Sequence, residues 1–225
     1  MPAAVRTPES ESLDVVLVGS FNPAIFHPQW FLRQELVGEN EADEAKVKMV
    51  SSQITDVQFG GVRAVCVTDR LTLSTPNVAF TEKIHDLATA ILRLLPHTPV
   101  RACGINPQVH YRVQTVAYWH KIGNTLAPKN VIWNDLFPEP GMQSLTIKAP
   151  RGGVFPGETN VTVGPSDRCK PGFFVHANTH YDVPKASQHM GGASGVRDFI
   201  LAEWNKACEQ ARRVADQIFQ KIKTE

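Results

Sequence analysis

Hydrophobic and polar positions follow, along much of the chain, the two periods that separate strands from helices. Residues 15–18 form a short continuous apolar run, which is typical of a buried strand. Residues 55–59 and 62–67 alternate with a period of two, and Gly60-Gly61 between them predicts a hairpin turn. The second of these strands could run on to residue 73. A short helix is predicted near Pro28, because proline favours the first helical position.

Three longer segments repeat their apolar residues at spacings of three and four, as one face of a helix does. One helix is predicted after residue 76, another between residues 116 and 126, and a third from about residue 196 onward. The apolar stripe of the third consists of Val196, Ile200, Trp204, Ala207, Ala211, Val214, Ile218 and Ile222. At 1.5 Å per residue this helix would be roughly 40 Å long, so we expect part of it to project or to pack against another subunit.

The second half of the chain resembles the first in the order of its elements. Strands are predicted at residues 100–113, 144–149, 159–163 and 173–183, and the glycines and prolines between the last three favour an antiparallel meander. The order is β-α-β-β-α and then β-α-β-β-β-α. It predicts an α+β fold of two pseudo-repeated βαββα-like halves. The halves share a mostly antiparallel sheet with helices on one face and a long C-terminal helix.

Composition places the protein among ordinary globular proteins. The 225 residues are 42% hydrophobic, and 23 Lys and Arg balance 22 Asp and Glu. This balance does not favour nucleic acid as a partner, because nucleic-acid binders usually carry a basic excess. The first twelve residues are expected to form a disordered tail. Residues 13–225 are expected to form a single domain with pseudo-halves at about 13–99 and 100–225.

The same composition bears on location. No apolar run approaches the ~20 residues that span a bilayer, and the N-terminus lacks the basic and apolar segments of a secretory signal. The four cysteines stand far apart without a C-x-x-C motif, and Cys66 and Cys103 alternate with apolar residues as buried side chains do. We therefore predict a cytoplasmic protein that does not associate with membranes.

The most suggestive polar segment runs from His176 to Asp182. Because side chains alternate across a strand, His176, Asn178, His180 and Asp182 should line one face. Same-face neighbours lie ~7 Å apart along a strand, so His176 and His180 are about twice that distance apart. They cannot share a metal ion without a bulge or further ligands. Accordingly, no metal site and no cofactor are predicted.

A second polar row lies on the strand that opens the second half and consists of Asn106, Gln108, His110 and Arg112. If that strand neighbours the His176 strand, His110 and Arg112 could face His176 or His180. The four are candidates for acid–base catalysis or phosphate contact, and Asn106, Asn178 and Asp182 are candidate binding residues. An RNA-binding sheet would expose aromatic side chains as well, and Phe174 is the only one expected on this face.

A glycine-rich segment, residues 187–195, precedes the long helix. Backbone N–H groups at a helix start can bind an anion, which makes Gly191, Gly192 and Ser194 further candidate binding residues. The segment matches neither of the common phosphate-binding motifs. The alternative is a flexible loop in which Ser194 caps the helix.

Several strings carry a resemblance to a known group of proteins. They include Leu94-Leu95-Pro96-His97-Thr98-Pro99-Val100 followed by Gly104-Ile105-Asn106, together with Phe21-Asn22-Pro23 and Pro28-Gln29-Trp30-Phe31. With these the chain resembles, over most of its length, a sporadically distributed family of uncharacterised bacterial proteins. The resemblance implies no activity and no catalytic residues. A patchy distribution is typical of accessory or phage-defence loci.

Three hypotheses follow. The first is a non-enzymatic interaction or assembly subunit of a bacterial cytoplasmic system, with a homo-oligomer or a protein partner. It rests on the absence of catalytic motifs, the long terminal helix and the charge-balanced sheet face. The second is an enzyme or small-molecule-binding protein that uses the His, Arg and Asn side chains of the sheet. The third is an RNA-binding sheet.

Overall fold

The computed structural model describes residues 6–185 and 191–222, which form a nine-stranded antiparallel sheet with helices on one face. The strands β1 to β9 are Ser10–Gly19, Lys46–Val50, Ile54–Phe59, Val62–Val67, Arg70–Thr75, Val100–Arg112, Leu145–Arg151, Gly157–Pro165 and Gly172–Asp182. The helices α1 to α5 are Pro28–Arg33, Glu39–Asp43, Thr81–Leu94, Val116–Leu126 and Gly192–Lys221. Short 3₁₀ turns lie at Pro23–Ile25, Val78–Phe80 and Val183–Lys185.

The strand order is β2-β3-β4-β5-β1-β6-β9-β8-β7. The first strands of the two halves, β1 and β6, pair with each other at the centre of the sheet. Each also pairs with the last strand of its own half, β1 with β5 and β6 with β9. In each half the chain passes from the central strand to one edge of the sheet, and consecutive antiparallel strands then lead back to the central strand. The predicted α+β fold with two related halves is confirmed.

The hydrophobic core lies between the sheet and its helices. In the first half, Val15 and Leu17 of β1 are buried together with Phe31 of α1 and Ile84 of α3. In the second half, buried residues of the sheet pack against α4 and the end of α5: Val109, Tyr111, Phe173, Val175, Tyr118, Ile122, Ala211, Ala215 and Ile218. Helix α5 contributes to both clusters, which joins the halves.

The long helix does not project as predicted. Its buried residues run from Ala193 to Ile218, and the Tyr118 hydroxyl of α4 donates to the carbonyl oxygen of Ile222 at 2.7 Å. The expected length is right, but the stripe packs on the sheet of its own chain, and of its eight residues Val214 alone is only half-buried. The N-cap residue of α5 is also not Ser194, the residue suggested by the sequence. Gly191 is the N-cap residue, and Ser194 lies inside the first turn, where its hydroxyl donates to the Gly191 carbonyl at 3.4 Å.

Other differences concern strand boundaries. Strand β1 begins at Ser10, which pairs with His110, so residues 10–12 belong to the sheet and not to a tail. The strand from Val62 ends at Val67, and β5 turns back beside it. Strand β2 was not predicted, and all five of its side chains are exposed. Residues 187–190 of the glycine-rich segment lie outside the described residues.

Candidate functional site

The sheet face turned away from the helices, which we call the open face, carries mainly polar side chains. In β1 the odd-numbered residues Leu13, Val15 and Leu17 are buried toward the helices, so Ser12 and Asp14 point the other way. Strand β9 shows the same alternation, with Val175, Ala177 and Tyr181 buried. His176, Asn178, His180 and Asp182 therefore share the open face, as the sequence pattern predicts.

The strand registers align one polar residue from every strand into a row, the central polar row. From edge to edge the row is Lys46, Gln58, Arg63, Ser74, Asp14, Asn106, Asn178, Asn160 and Lys148. At its middle, the Asn178 amide donates to the Asn106 side-chain oxygen, and Asn106 is only 9% exposed. Cations thus stand toward both edges of the row, and amides and one carboxylate stand at its centre.

Two of the three cations of the row, Arg63 and Lys148, have carboxylate partners. Arg63 donates to both carboxylate oxygens of Asp56, at 2.8 and 2.5 Å, and Lys148 pairs with Glu158. These contacts hold the pKa of Asp56 and of Glu158 below their usual values. The charge of the open face is therefore largely neutralised within the protein.

Asp14 and His176 are the titratable groups nearest the centre of the open face. They lie on strands that flank β6 on either side, with Asp14 opposite Asn106 and His176 opposite Gln108. Burial raises the pKa of Asp14, and the nearby His176 offsets part of this rise. Burial lowers the pKa of His176, and Asp14 offsets part of that fall. The fold favours the uncharged form of both groups.

His110 is buried and fully engaged. Its Nε2 lies 3.0 Å from the Gln108 amide nitrogen, and its Nδ1 lies 2.8 Å from the Ser166 hydroxyl. An amide nitrogen can only donate, so Nε2 accepts and the proton of the neutral ring is on Nδ1. Burial lowers the pKa of His110, and the positive charge of Arg168 lowers it further, against the opposing effect of Asp167. His110 therefore acts as a structural hydrogen-bonding group.

The remaining catalytic candidates are spread over the open face. Arg112 lies at the end of β6, where it pairs with Glu9 at 3.2 Å and donates to the Lys170 carbonyl at 2.9 Å. His180 lies opposite Gly104 and Glu158, four residues along β9 from His176, which corresponds to ~13 Å. Thus His176 lies with Asp14, Asn106 and Asn178 near the centre of the open face. Arg112 and His180 lie away from this group.

The candidate binding residues also separate into groups. Asn106 and Asn178 form the centre of the row, whereas Asp182 pairs with Ala102 near the end of β9. Gly191, Gly192 and Ser194 begin α5, which packs on the helix side of the sheet. Sequence reasoning missed Asp14, because it immediately precedes the apolar run at residues 15–18. The pattern that could have revealed it is the alternation of the polar residues Ser12 and Asp14 with the apolar residues Leu13 and Val15.

A second feature that the sequence pattern did not reveal is a cluster of exposed apolar side chains between α4 and β7. We call residues 129–137 the apolar arm. Its large apolar side chains are between 45% and 72% exposed: Val131, Ile132, Trp133, Leu136 and Phe137. At its root the Lys129 ammonium donates to the carbonyl oxygens of Gly123 and Ala127, at 3.1 and 2.6 Å, which fixes the arm to the end of α4.

An apolar groove lies close to the root of the arm. It runs between α5 and the helix-side face of β7 and β8, and encloses about 560 Å³. We call it the edge groove. Its apolar lining includes Leu126, Leu145, Ile147, Val161, Val214 and Ile218. The groove exists because α5 packs over β6 and β9 and leaves the outer two strands without a helix above them.

In residues 6–185 and 191–222, no three His, Cys, Asp or Glu side chains are grouped so that they could hold a metal ion. In the same ranges, no helix has both the length and the apolar content needed to cross a bilayer. No protein-family model matches the sequence, and no curated protein matches it.

Proposed function

We propose that the protein is a non-enzymatic interaction or assembly subunit. The observation that carries this proposal is the apolar arm, in which five large apolar side chains of a single short segment are all exposed. Contiguous exposed apolar surface of this kind marks protein interfaces, because leaving it in water is unfavourable. Trp133 and Phe137 are also of the residue types that contribute most to binding energy at interfaces.

The state of the nucleophilic and acid–base groups supports the same proposal. Burial raises the pKa of the Cys66 and Cys208 thiols to about 12 and raises that of Cys103 as well, so these thiols stay protonated at neutral pH. His110 is hydrogen-bonded through both ring nitrogens. The resemblance to a patchily distributed bacterial family extends the proposal to a cytoplasmic accessory system, with phage defence as the leading case.

A second candidate function is the binding of a small polar ligand on the open face. The observation that favours it is the group formed by Asp14, His176, Asn106 and Asn178, which offers hydrogen-bond donors and acceptors at the centre of the sheet, with the Asn178 amide already donating to Asn106. Titrating inorganic phosphate and, separately, a neutral hexose while recording the His176 ring resonances tests this. Saturable shifts that vanish in Asn178→Leu support it, and unchanged resonances with both probes contradict it.

The RNA-binding hypothesis finds less support. Phe174 packs against His110 with ring centroids 5.9 Å apart, so its ring is already in contact on one side. Arg63, Arg112 and Lys148 each have a carboxylate partner, which reduces the attraction of phosphates.

Light scattering of the natively purified full chain, together with identification of co-purifying proteins, tests the interaction function. We expect either a mass above that of the monomer or a stoichiometric partner. Replacing Trp133 and Phe137 by serine should abolish it, whereas Val154→Ser, an exposed valine outside the arm, should not. A strict monomer without a partner would overturn the proposal, as would an assembly that the arm variant leaves intact.

A further inference from the structure

We propose that the apolar arm binds the edge groove of a second copy of the same chain, so that the protein forms a dimer by reciprocal exchange of arms. This inference rests on the interaction function proposed above and names its partner. It is carried by the presence, on one molecule, of an apolar segment and an apolar groove that both lie open to solvent.

The positions of the two features suit a two-fold arrangement. Leu126 ends α4 and Leu145 begins β7, and both line the edge groove. The arm leaves the molecule between these two residues. A two-fold axis near the arm root would therefore place each arm beside the groove of the other copy, and both contacts would form together in a self-complementary interface.

Within its own chain the arm does not occupy the groove. Instead it turns on itself, where the backbone N–H of Phe137 donates to the carbonyl oxygen of Trp133 at 2.9 Å. Trp133 and Phe137 line a separate cleft of about 400 Å³ together with Met142. All five large apolar side chains of the arm, including Trp133 and Phe137, still keep 45–72% of their surface exposed and available for an intermolecular contact.

Charge complements the apolar match. The arm segment carries Asp135 and, just after it, Glu139. The groove is lined by three cations, Arg151, Lys206 and the exposed Arg213, and by one carboxylate, Glu203, which pairs with Arg151 at 2.8 Å and with Lys206 at 3.6 Å. Carboxylates on the arm and cations on the groove rim would orient the arm and favour association.

The area available is sufficient for a stable dimer. At about 100 Å² for each large apolar side chain, two arms and the groove surfaces they cover would bury about 2,000 Å² in total. This exceeds the roughly 1,000 Å² expected of a specific interface. The other sheet edge is a poorer candidate, because Lys46 and Lys48 on β2 interrupt its exposed apolar residues with charge.

Sedimentation velocity over a wide concentration range tests the proposal with three variants. The arm variant replaces Trp133 and Phe137 by serine, and the groove variant is Ile147→Glu. The control is Val47→Ser at the opposite sheet edge, where Val47 is 51% exposed against 57% for Ile147. We expect the wild type and the control to dimerise, and the arm and groove variants to dimerise more than about 30-fold less tightly. The altered side chains are exposed, and equal thermal midpoints would show that the variants fold.

Mixing the two weakened variants provides the decisive measurement. In a mixed dimer, the intact arm of the groove variant can enter the intact groove of the arm variant, so one of the two contacts is retained. We therefore expect the mixture to dimerise more tightly than either variant alone. Leu136→Cys and Ile147→Cys, placed on separate chains, should also form a disulfide-linked dimer on oxidation. A mixture no tighter than its components would overturn arm exchange.

The outcomes separate this inference from the proposed function. A wild-type monomer whose co-purifying partner is lost in the arm variant overturns the exchange and leaves the interaction function standing. A dimer that persists in both weakened variants but is lost in Val47→Ser has the same meaning, since assembly then uses β2. A wild-type monomer without any partner overturns both proposals.

Discussion

Asp14 and His176 lie on the two strands that flank β6, on the same face of the sheet, and burial shifts their pKa values in opposite directions. The pKa of Asp14 is raised and that of His176 is lowered, and each group partly offsets the shift of the other. A folded protein that favours the neutral form of both groups is less stable when either one is charged. The charge state of this pair is therefore linked to stability and can be measured.

Asp14→Asn should stabilise the protein at neutral pH. A folded-state pKa above the unfolded value means that stability is lost as pH rises through the folded pKa, because the buried carboxylate must then ionise. Asp14→Asn has no carboxylate to ionise at this position, so the variant does not lose this stability. The gain in melting temperature should be absent below about pH 3.8, grow as pH rises through the raised pKa of Asp14, and then level off.

The same variant should lower the pKa of His176 further, since the carboxylate that partly stabilises the imidazolium is gone. The ring resonances of His176 report this directly. Asp43→Asn, an exposed aspartate on α2, is the control and should change neither quantity. A His176 pKa that rises in Asp14→Asn would contradict the coupling.

His176→Gln should reduce the sensitivity of the protein to acid. The folded pKa of His176 is lowered, so its contribution is fully present above pH 6.5 and is lost as pH falls from there through the folded pKa. The pKa of His110 is also lowered, so part of the acid sensitivity should remain. Chemical denaturation at a series of pH values measures the difference. A pH profile of His176→Gln that equals that of the wild type would contradict the prediction.

Ser166→Ala should destabilise the protein by about 2 kcal/mol, because it leaves several buried donors without an acceptor. The Ser166 hydroxyl accepts from the backbone N–H groups of Arg168 and Cys169, each at 3.1 Å, and lies 2.8 Å from Nδ1 of His110. Urea denaturation near neutral pH measures the loss.

Ser51→Ala is the matched control for this prediction. Ser51 accepts from the N–H groups of Gln53 and Ile54 in a similar turn, at 3.2 and 3.1 Å, but that turn lies near solvent. Water can replace the lost hydroxyl there, so the loss should be well below that of Ser166→Ala. Equal losses would mean that burial does not determine the effect.

Local patterns were enough to predict the hairpin of β3 and β4, the helix α3 and the shared face of His176, Asn178 and His180. These features depend on residues close together in sequence, whose period of 2 or 3.6 is visible directly. Strand β2 escaped prediction for a physical reason. It is an edge strand in which all five side chains are exposed, so it has no buried apolar face, and its alternation covers only Lys46-Val47-Lys48-Met49.

The candidate site could not be predicted from local patterns, because it depends on which strands pair in the folded sheet. Asp14 and Asn106 lie opposite each other only because β1 pairs with β6, a contact between the two halves of the chain. Nothing in the local sequence of either strand specifies that pairing. The exposure of the arm could not be predicted for the same reason. Val131 and Leu136 are residue types common in cores, and only the tertiary structure shows that they are 72% and 62% exposed among the described residues.

Gly157→Ala should destabilise the protein by about 1–3 kcal/mol or more, because a side chain has no room at this position. A Cβ atom on Gly157 would lie 2.1 Å from the carbonyl oxygen of His180 on the neighbouring strand, and backbone cannot move aside as a flexible side chain can. The clash would loosen the end of the β8–β9 pair, where Glu158 lies opposite His180. Thermal denaturation measures the loss, and Gly152→Ala in the same turn is the control. There a Cβ atom meets nothing within 4 Å, so alanine should be neutral or stabilise by up to about 1 kcal/mol. Similar melting temperatures for the two variants would show that β8 and β9 are not packed as closely as described.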